Sequence, residues 1–361
     1  MAGLLRTMWR EYGTPSAGFT LDKLLNHADQ HLSQIPDLIP PAPESKPRTP
    51  FDSTPPIKQG PLGQFTPKQK LRALTKMMPL MISMERASGF YRKGFNPTRN
   101  LASPALIAKL EAMARELGVK DIGYVKVPHN AIFRDKGIPC EYAILFTVEM
   151  DKEPISTAPS AECKLEVMDG YKRLSLTANR LTRFLRRQGF AAYPGTALGG
   201  LTDYVHLAEL AGLGAIGYHG LLISPGEGAR LRINTIYTNI SNLPTLEQLG
   251  KQNEHLWVRD FCAMCKKCIR QCPVSAIYSQ PKPRGDGGMQ AIDHDTCRIY
   301  FSNNFGCGVC LAVCPFSQAG YEKVKASFKG NDNAPQFRIP IAPIADTESR
   351  PVDVKIEEER R

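Results

Sequence analysis

From residue 66 onward, apolar positions recur first at helical and then at strand spacing. Thr66-Pro67 pairs an N-cap residue with a proline in the first turn. Leu71, Leu74, Met77 and Met78 continue that apolar face, and Pro79 is placed to kink it. Ser103-Pro104 repeats the device and opens a second helix, which runs to Leu117 and stops at Gly118. Two runs rich in β-branched and aromatic residues, 122–127 and 142–148, read as strands. A long basic helix is expected over 163–188, ended by Gly189. This α-β-β-α order predicts a layered α/β domain rather than an all-helical one.

The flanks read differently. Residues 1–34 suggest a short amphipathic helix, in which His27 and His31 lie one turn apart with no third ligand and are expected on its solvent side. Between Pro36 and Pro61 stand nine prolines. Proline lacks the amide N–H and fixes φ, so an extended linker or surface strap is expected there. From 207 to 238 a helix ends at Gly212, and two glycine-rich turns then flank a short strand at 221–223 and an alternating strand at 230–238. Glycines this dense let the backbone approach a large neighbour closely. No G-x-G-x-x-G stands between a strand and a helix, so a dinucleotide site is not indicated. Residues 278–291, with Pro281 and Pro283, are expected to be a loop, and 331–361 a poorly ordered tail. The expected division is 1–65 for the N-terminal segment and linker, 66–250 for the α/β domain, 251–330 for a smaller module, and 331–361 for the tail.

Composition narrows the class only a little. At 42% hydrophobic and 22% charged residues the chain is ordinary for a globular protein. A net charge of +11 suits an anionic cofactor, an acidic partner or nucleic acid without choosing among them. No run of about 18 apolar residues suggests a membrane span. The N-terminus shows neither a secretory nor a twin-arginine pattern, so a cytoplasmic location is expected.

Cysteine spacing carries the chemistry. Cys262, Cys265, Cys268 and Cys272 before Pro273 form C-x2-C-x2-C-x3-C-P. In the bacterial ferredoxin run of this form, three thiolates hold one 4Fe–4S cluster and the fourth reaches a second. The required partner follows as Cys297, then Cys307, Cys310 and Cys314 before Pro315. The crossing rule assigns Cys262, Cys265, Cys268 and Cys314 to the first cluster, and Cys272, Cys297, Cys307 and Cys310 to the second. A zinc site would use separated pairs and has no need of the crossed Cys-Pro ends. Cys140 and Cys163 read as small buried hydrophobes.

Four stretches in fixed order then become recognisable: Ala-Gly-Leu-Gly at 211–214, Leu-Leu-Ile-Ser-Pro-x-x-Gly-x-Arg-x-Arg at 221–232, Phe-Cys-x-x-Cys-x-Lys-Cys at 261–268, and Cys-Gly-x-Cys-x-x-Val-Cys-Pro-Phe-Ser at 307–317. Together they resemble the catalytic core of reductive dehalogenases and of epoxyqueuosine reductases, over about residues 185–328. The resemblance implies a layered α/β domain of the nitroreductase-like, corrinoid-binding type, followed by a dicluster ferredoxin-like module. It implies a reductase that passes single electrons from a ferredoxin or flavodoxin through two clusters to cobalamin, acting on a small-molecule substrate. It points to Gly217, Tyr218, His219, Ser224, Gly228 and Arg232 as corrinoid residues. For the proton donor it points to Tyr204 and Asp203, with Tyr193, Tyr218 and His219 behind them. A tyrosine serves this role only where a cation or the corrinoid tunes it. Two alternatives stay open: an electron-transfer protein without its own catalysis, and a tRNA-modifying enzyme, which the basic charge favours and the missing helical-repeat tail disfavours.

Overall fold

The computed structural model describes Leu32, Ile35, residues 37–48 and 63–328, apart from 227, 286 and 287. The expected helix near the N-terminus, with His27 and His31, and the expected C-terminal tail lie outside the described residues.

Helix α1, Pro67–Arg92, begins with the expected cap. Thr66 Oγ1 accepts from Gln69 N, the Gln69 side chain accepts from Thr66 N, and Pro79 is taken up inside the helix. Helix α2, Pro104–Glu116, starts on Ser103, whose side chain accepts from Leu106 N. Strands β1, Ile122–Lys126, and β2, Tyr142–Glu149, follow. A short helix α3, Lys152–Ser156, leads to the long α4, Ala161–Arg187. Strand β3, Ala192–Pro194, precedes α5, Tyr204–Leu210. The two-residue strands β4, Ala215–Ile216, and β5, Leu222–Ile223, pair as a hairpin, and β6, Leu231–Thr238, closes the domain.

The main sheet has the order β1-β2-β6-β3, antiparallel throughout. Both of its faces are covered, which is why β2 reads as a continuous apolar run rather than an alternating one. Ile144, Phe146 and Val148 face Leu110 of α2 and Leu174, Leu181 and Leu185 of α4. Ala143 and Leu145 face Leu207 and Ala208 of α5. The layered α/β domain expected from the pattern is thus the one observed.

The smaller module comprises α6, Trp257–Cys265; α7, Lys267–Arg270; β7, Ile277–Pro283; β8, Met289–Ile292; α8, His294–Asn303; α9, Val309–Ala312; α10, Pro315–Ala319; and α11, Tyr321–Ser327. One expectation is corrected here. Residues 278–291 are largely an antiparallel hairpin, not a plain loop. A two-stranded ribbon consists of edges alone, so Pro281 and Pro283 cost it few ladder bonds, and the register shifts between Ile277 and Lys282.

The two domains share a core. Met150, Cys163, Ile223 and Ala229 meet Phe261, Leu311, Phe316 and Tyr321. Arg230 is only 3% exposed and ties the domains. Its guanidinium donates to Ser317 O at 3.0 Å and to Met150 O at 2.5 Å. Glu209 of α5 adds a second tie, accepting from Ile216 N at 2.8 Å and pairing with Arg259 of α6 at 2.6 Å. Part of the proline-rich segment lies on the α/β domain as a strap, with Ile39 bridging to Ile138. No helix of the described residues is long and apolar enough to cross a membrane.

Candidate functional site

The thiols fall into two neighbourhoods of four, although among the described residues no three His, Cys, Asp or Glu side chains stand close enough together to hold a metal ion as they are. Burial raises the Cys262 thiol well above its ordinary range, and Cys314, Cys268 and Cys265 add to the effect in that order. Cys268 is pushed up to about 12 by burial, with Cys314 and Cys265 its charged neighbours. In the second group, burial pushes Cys297 up to about 11, helped by Cys307 and Cys272. Burial also raises Cys310, with Cys307, Cys268 and Cys297 as neighbours. Cys314 therefore sits with the first tight run, and Cys272 with the later cysteines. Such thiols stay protonated unless a metal replaces their protons.

Backbone amides point at the sulfurs. Ala276 N donates to Cys272 Sγ at 3.3 Å. Amides of Lys267, Val309, Leu311 and Phe316 reach Cys265, Cys307, Cys310 and Cys314. These short loops depend on left-handed residues, Lys266 at φ 46°, Cys307 at 41° and Gly308 at 92°. One donor comes from the other domain, because the Tyr218 amide in the β4–β5 hairpin donates to Cys262. The second foursome lies nearer solvent. Cys272, Cys297, Cys307 and Cys310 are all partly exposed, whereas in the first foursome only Cys265 is and Cys262, Cys268 and Cys314 are buried.

The glycine-rich stretch makes close approaches, but the neighbours observed are protein. A Cβ on Gly228, at φ +68°, would lie 2.5 Å from the Phe316 carbonyl carbon. A Cβ on Gly217 would lie 2.6 Å from Ile223 Cδ1. Ser224 is buried and donates to Asp121 at 3.3 Å. His219 is buried, with Nδ1 accepting from Leu221 N at 3.2 Å, while Nε2 has no hydrogen-bond partner. Burial lowers the His219 imidazole to about 4, so it is neutral with its proton on Nε2.

Asp203 and Tyr204 begin α5. Asp203 caps the helix through His206 N at 3.4 Å, and its Oδ2 accepts from Lys46 at 2.5 Å and Arg284 at 3.0 Å. Burial alone would raise this carboxyl, but the charges of Lys46 and Arg284 outweigh it and hold it well below the usual carboxylate range. An ionised, doubly paired carboxylate has no proton to give. The Tyr204 hydroxyl faces the Thr196 carbonyl at 3.5 Å and the Tyr237 hydroxyl, which in turn meets Thr202 Oγ1 at 2.8 Å. Tyr193 is part of an aromatic stack with Tyr91 and Arg186.

Besides Tyr193 with Arg186, Tyr171 on α4 also lies beside a cation, and nothing in its local sequence singles it out. The Arg232 guanidinium carbon lies 4.7 Å from the centre of its ring. Gly170 makes this approach feasible, since a Cβ there would come within 3.1 Å of Arg232 Cγ. Arg232 Nε is buried without a hydrogen-bond partner. Tyr171 borders an apolar group of Leu80, Met84 and Ala197, with Met81 and Leu198 beside it. Asn234, two residues along the same strand face, is fully buried with Nδ2 unpartnered. Buried polar atoms left open this way fit a polyamide cofactor or a polar ligand better than a closed core.

The chain as a whole resembles known proteins. The 4Fe-4S dicluster domain family matches residues 261–318, and the chain is similar to reductive dehalogenases and to epoxyqueuosine reductases. Among its relatives are the tetrachloroethene reductive dehalogenases of Sulfurospirillum multivorans and Desulfitobacterium hafniense. The first is 31% identical over 50% of this chain and 36% of the relative, the second 31% over 56% and 37%. An epoxyqueuosine reductase of Francisella cf. novicida is 30% identical over 35% of each chain. The solved structure of a catabolic reductive dehalogenase superposes with a TM-score of 0.64 at 20% identity, covering 82% of this chain and 47% of that one. The chain thus spans little more than a third of the curated dehalogenases it matches.

Proposed function

We propose that the chain is an oxidoreductase of the reductive dehalogenase type. It takes single electrons from a ferredoxin- or flavodoxin-class donor and passes them through two 4Fe–4S clusters to a corrinoid centre that reduces a small organohalide. The observation that carries this reading is the pair of cysteine foursomes, the inner one capped by the Tyr218 amide of the α/β domain. Cys262, Cys265, Cys268 and Cys314 would hold the inner cluster, and Cys272, Cys297, Cys307 and Cys310 the outer one. The outer group's exposure suits electron entry from a partner.

Replacing a carbon–halogen bond by carbon–hydrogen consumes two electrons and one proton and releases halide. When bound, the corrinoid supplies the reduction of that bond. The chain supplies the proton and the electrostatics. Tyr171, rather than Tyr204 or Asp203, is assigned as the acid, because its ring lies against the Arg232 guanidinium and borders the apolar group of Leu80, Met84 and Ala197. Arg232 and His219 carry the buried N–H groups assigned to the cofactor, while Gly217, Ser224 and Gly228 hold the hairpin against the cluster module. The amides aimed at sulfur tune the cluster potentials.

Anaerobic reconstitution tests the reading. About eight irons and one cobalt per chain are expected. If saturating cobalamin changed neither the visible spectrum nor the thermal stability, the corrinoid part of the reading would be lost.

A further inference from the structure

Helix α1 is apolar on two sides, and the fold uses only one of them. Ala73 packs on Ala161 and Leu165 of α4, and Leu80 and Met84 on Ala197. Leu71, Leu74 and Met78 share the opposite side and are 67%, 46% and 36% exposed. Residues spaced i, i+3 and i+7 stack along one face of a helix, so these three form a continuous ridge. Large apolar side chains grouped in water mark a surface that meets something else.

The charges beside the ridge are of one sign. The only acidic residue of α1 is Glu85, which is 3% exposed and paired with Arg92 at 2.5 Å. Lys68, Lys70 and Arg86 are exposed and form no ion pair among the described residues. Helix α4 extends this surface. Lys76 pairs with Asp169 at 2.8 Å, Asn179 donates to Ser83 O at 2.7 Å, and Arg186 donates to Phe90 O at 2.9 Å. The two helices therefore run side by side in the same direction. Arg180, Arg183 and Arg187 lie on the side of α4 turned away from Leu174, Leu181 and Leu185, which face the sheet. All three arginines are exposed and unpaired among the described residues.

This basic face reaches far from the clusters' end of the molecule. Arg180 stands about 25 Å along α4 from Cys163, whose thiol neighbours the Cys307 carbonyl at 4.0 Å. An electron carrier docking over the second foursome would leave these arginines uncovered. A nucleic acid would use the cations and leave the ridge in water. A flat, anionic surface with an apolar interior satisfies both.

We propose that the exposed faces of α1 and α4 seat the chain on an anionic phospholipid bilayer, in the plane of the headgroups and without crossing it. Leu71, Leu74 and Met78 enter the boundary between headgroups and acyl chains, while the lysines and arginines meet lipid phosphates. An apolar ridge flanked by cations is the pattern of an interfacial helix. Such seating does not depend on what the clusters reduce.

The test is co-sedimentation of the anaerobically reconstituted full chain with vesicles, comparing phosphatidylcholine alone with its equal mixture with phosphatidylglycerol. The mixed vesicles should bind at least about tenfold more tightly, with affinity falling as salt rises. Leu71→Ser and Leu74→Ser should each weaken that binding about tenfold, and Arg180→Gln and Arg183→Gln about fivefold each, at unchanged iron content and thermal unfolding. Absence of a preference for anionic vesicles overturns the proposal. So does binding that the arginine variants lose and the leucine variants keep, which would make the face a plain polyanion site. A dimer in sedimentation velocity that Leu71→Ser abolishes, without vesicle binding, would give the ridge to a second copy of the chain and overturn it likewise. Should Leu74→Ser disturb folding, Leu71→Ser, at the most exposed of the three positions, carries the test.

Discussion

The Arg232 guanidinium carbon sits 4.7 Å from the centre of the Tyr171 ring, bringing a strand of the central sheet and the long helix α4 together at one cation–aromatic contact. Tyr171→Phe should retain iron and cobalt yet lower turnover of an accepted substrate by about two to four orders of magnitude, the usual range for a lost general acid. Tyr204→Phe should cost less than about tenfold. Single-turnover rates of the two variants decide between the tyrosines, and equal losses would remove the assignment.

Crossed ligation makes a pairwise prediction. Cys314→Ser should give the same residual EPR spectrum as Cys268→Ser, and Cys272→Ser the same as Cys310→Ser, each with about four irons left. Sorting by sequence block instead, with Cys314 behaving like Cys310, would refute the crossing. Chelating all the iron should return the buried thiols to their protonated state and loosen the small module first, because metal binding there is part of folding.

Gly228 sets the distance between the domains. Its φ of +68° and the 2.5 Å approach of a built Cβ to Phe316 mean that Gly228→Ala must move backbone. A cost of about 3 kcal/mol is expected from left-handed strain and overpacking together. Gly250→Ala has a similar φ of +61° with open space around it, and should cost only about 1 kcal/mol. Anaerobic urea unfolding of both variants measures the difference.

His219 makes stability depend on pH. Its folded-state value of about 4 lies below the ordinary 6.5, so between those values the unfolded chain binds a proton that the folded chain refuses. Stability from this group is therefore complete above about pH 6.5 and is lost as pH falls toward 4, by about 3 kcal/mol. His219→Gln should flatten that part of the curve, and an unchanged slope would show that another group governs it.

Much of the fold is legible because periodicity survives in the sequence. Capped helices at Thr66 and Ser103 and the runs in β1 and β2 announce themselves locally. The β7–β8 hairpin does not, since Pro281 and Pro283 argue against a strand until it is clear that the ribbon is all edge. The site divides the same way. Cysteine spacing is a local signal and names the eight thiols, whereas Tyr171 stands in a helix whose pattern offers nothing to distinguish it. Its meaning appears only when β6 brings Arg232 over Gly170. Tyr204 drew attention by lying close in sequence to Ala-Gly-Leu-Gly, and the glycines after it suggested a ligand where Phe316 is the neighbour.

The Asp203 carboxylate holds Lys46 of the strap and Arg284 of the small module's hairpin at once. Arg284 lies between Cys272 and Cys297, in the segment that brings one foursome together. The start of α5 is therefore held by a residue of the segment that links the two cysteine runs. Loosening of that hairpin would leave the carboxylate with Lys46 alone. The folding of the small module and the seating of α5 on the sheet are thereby joined at one carboxylate.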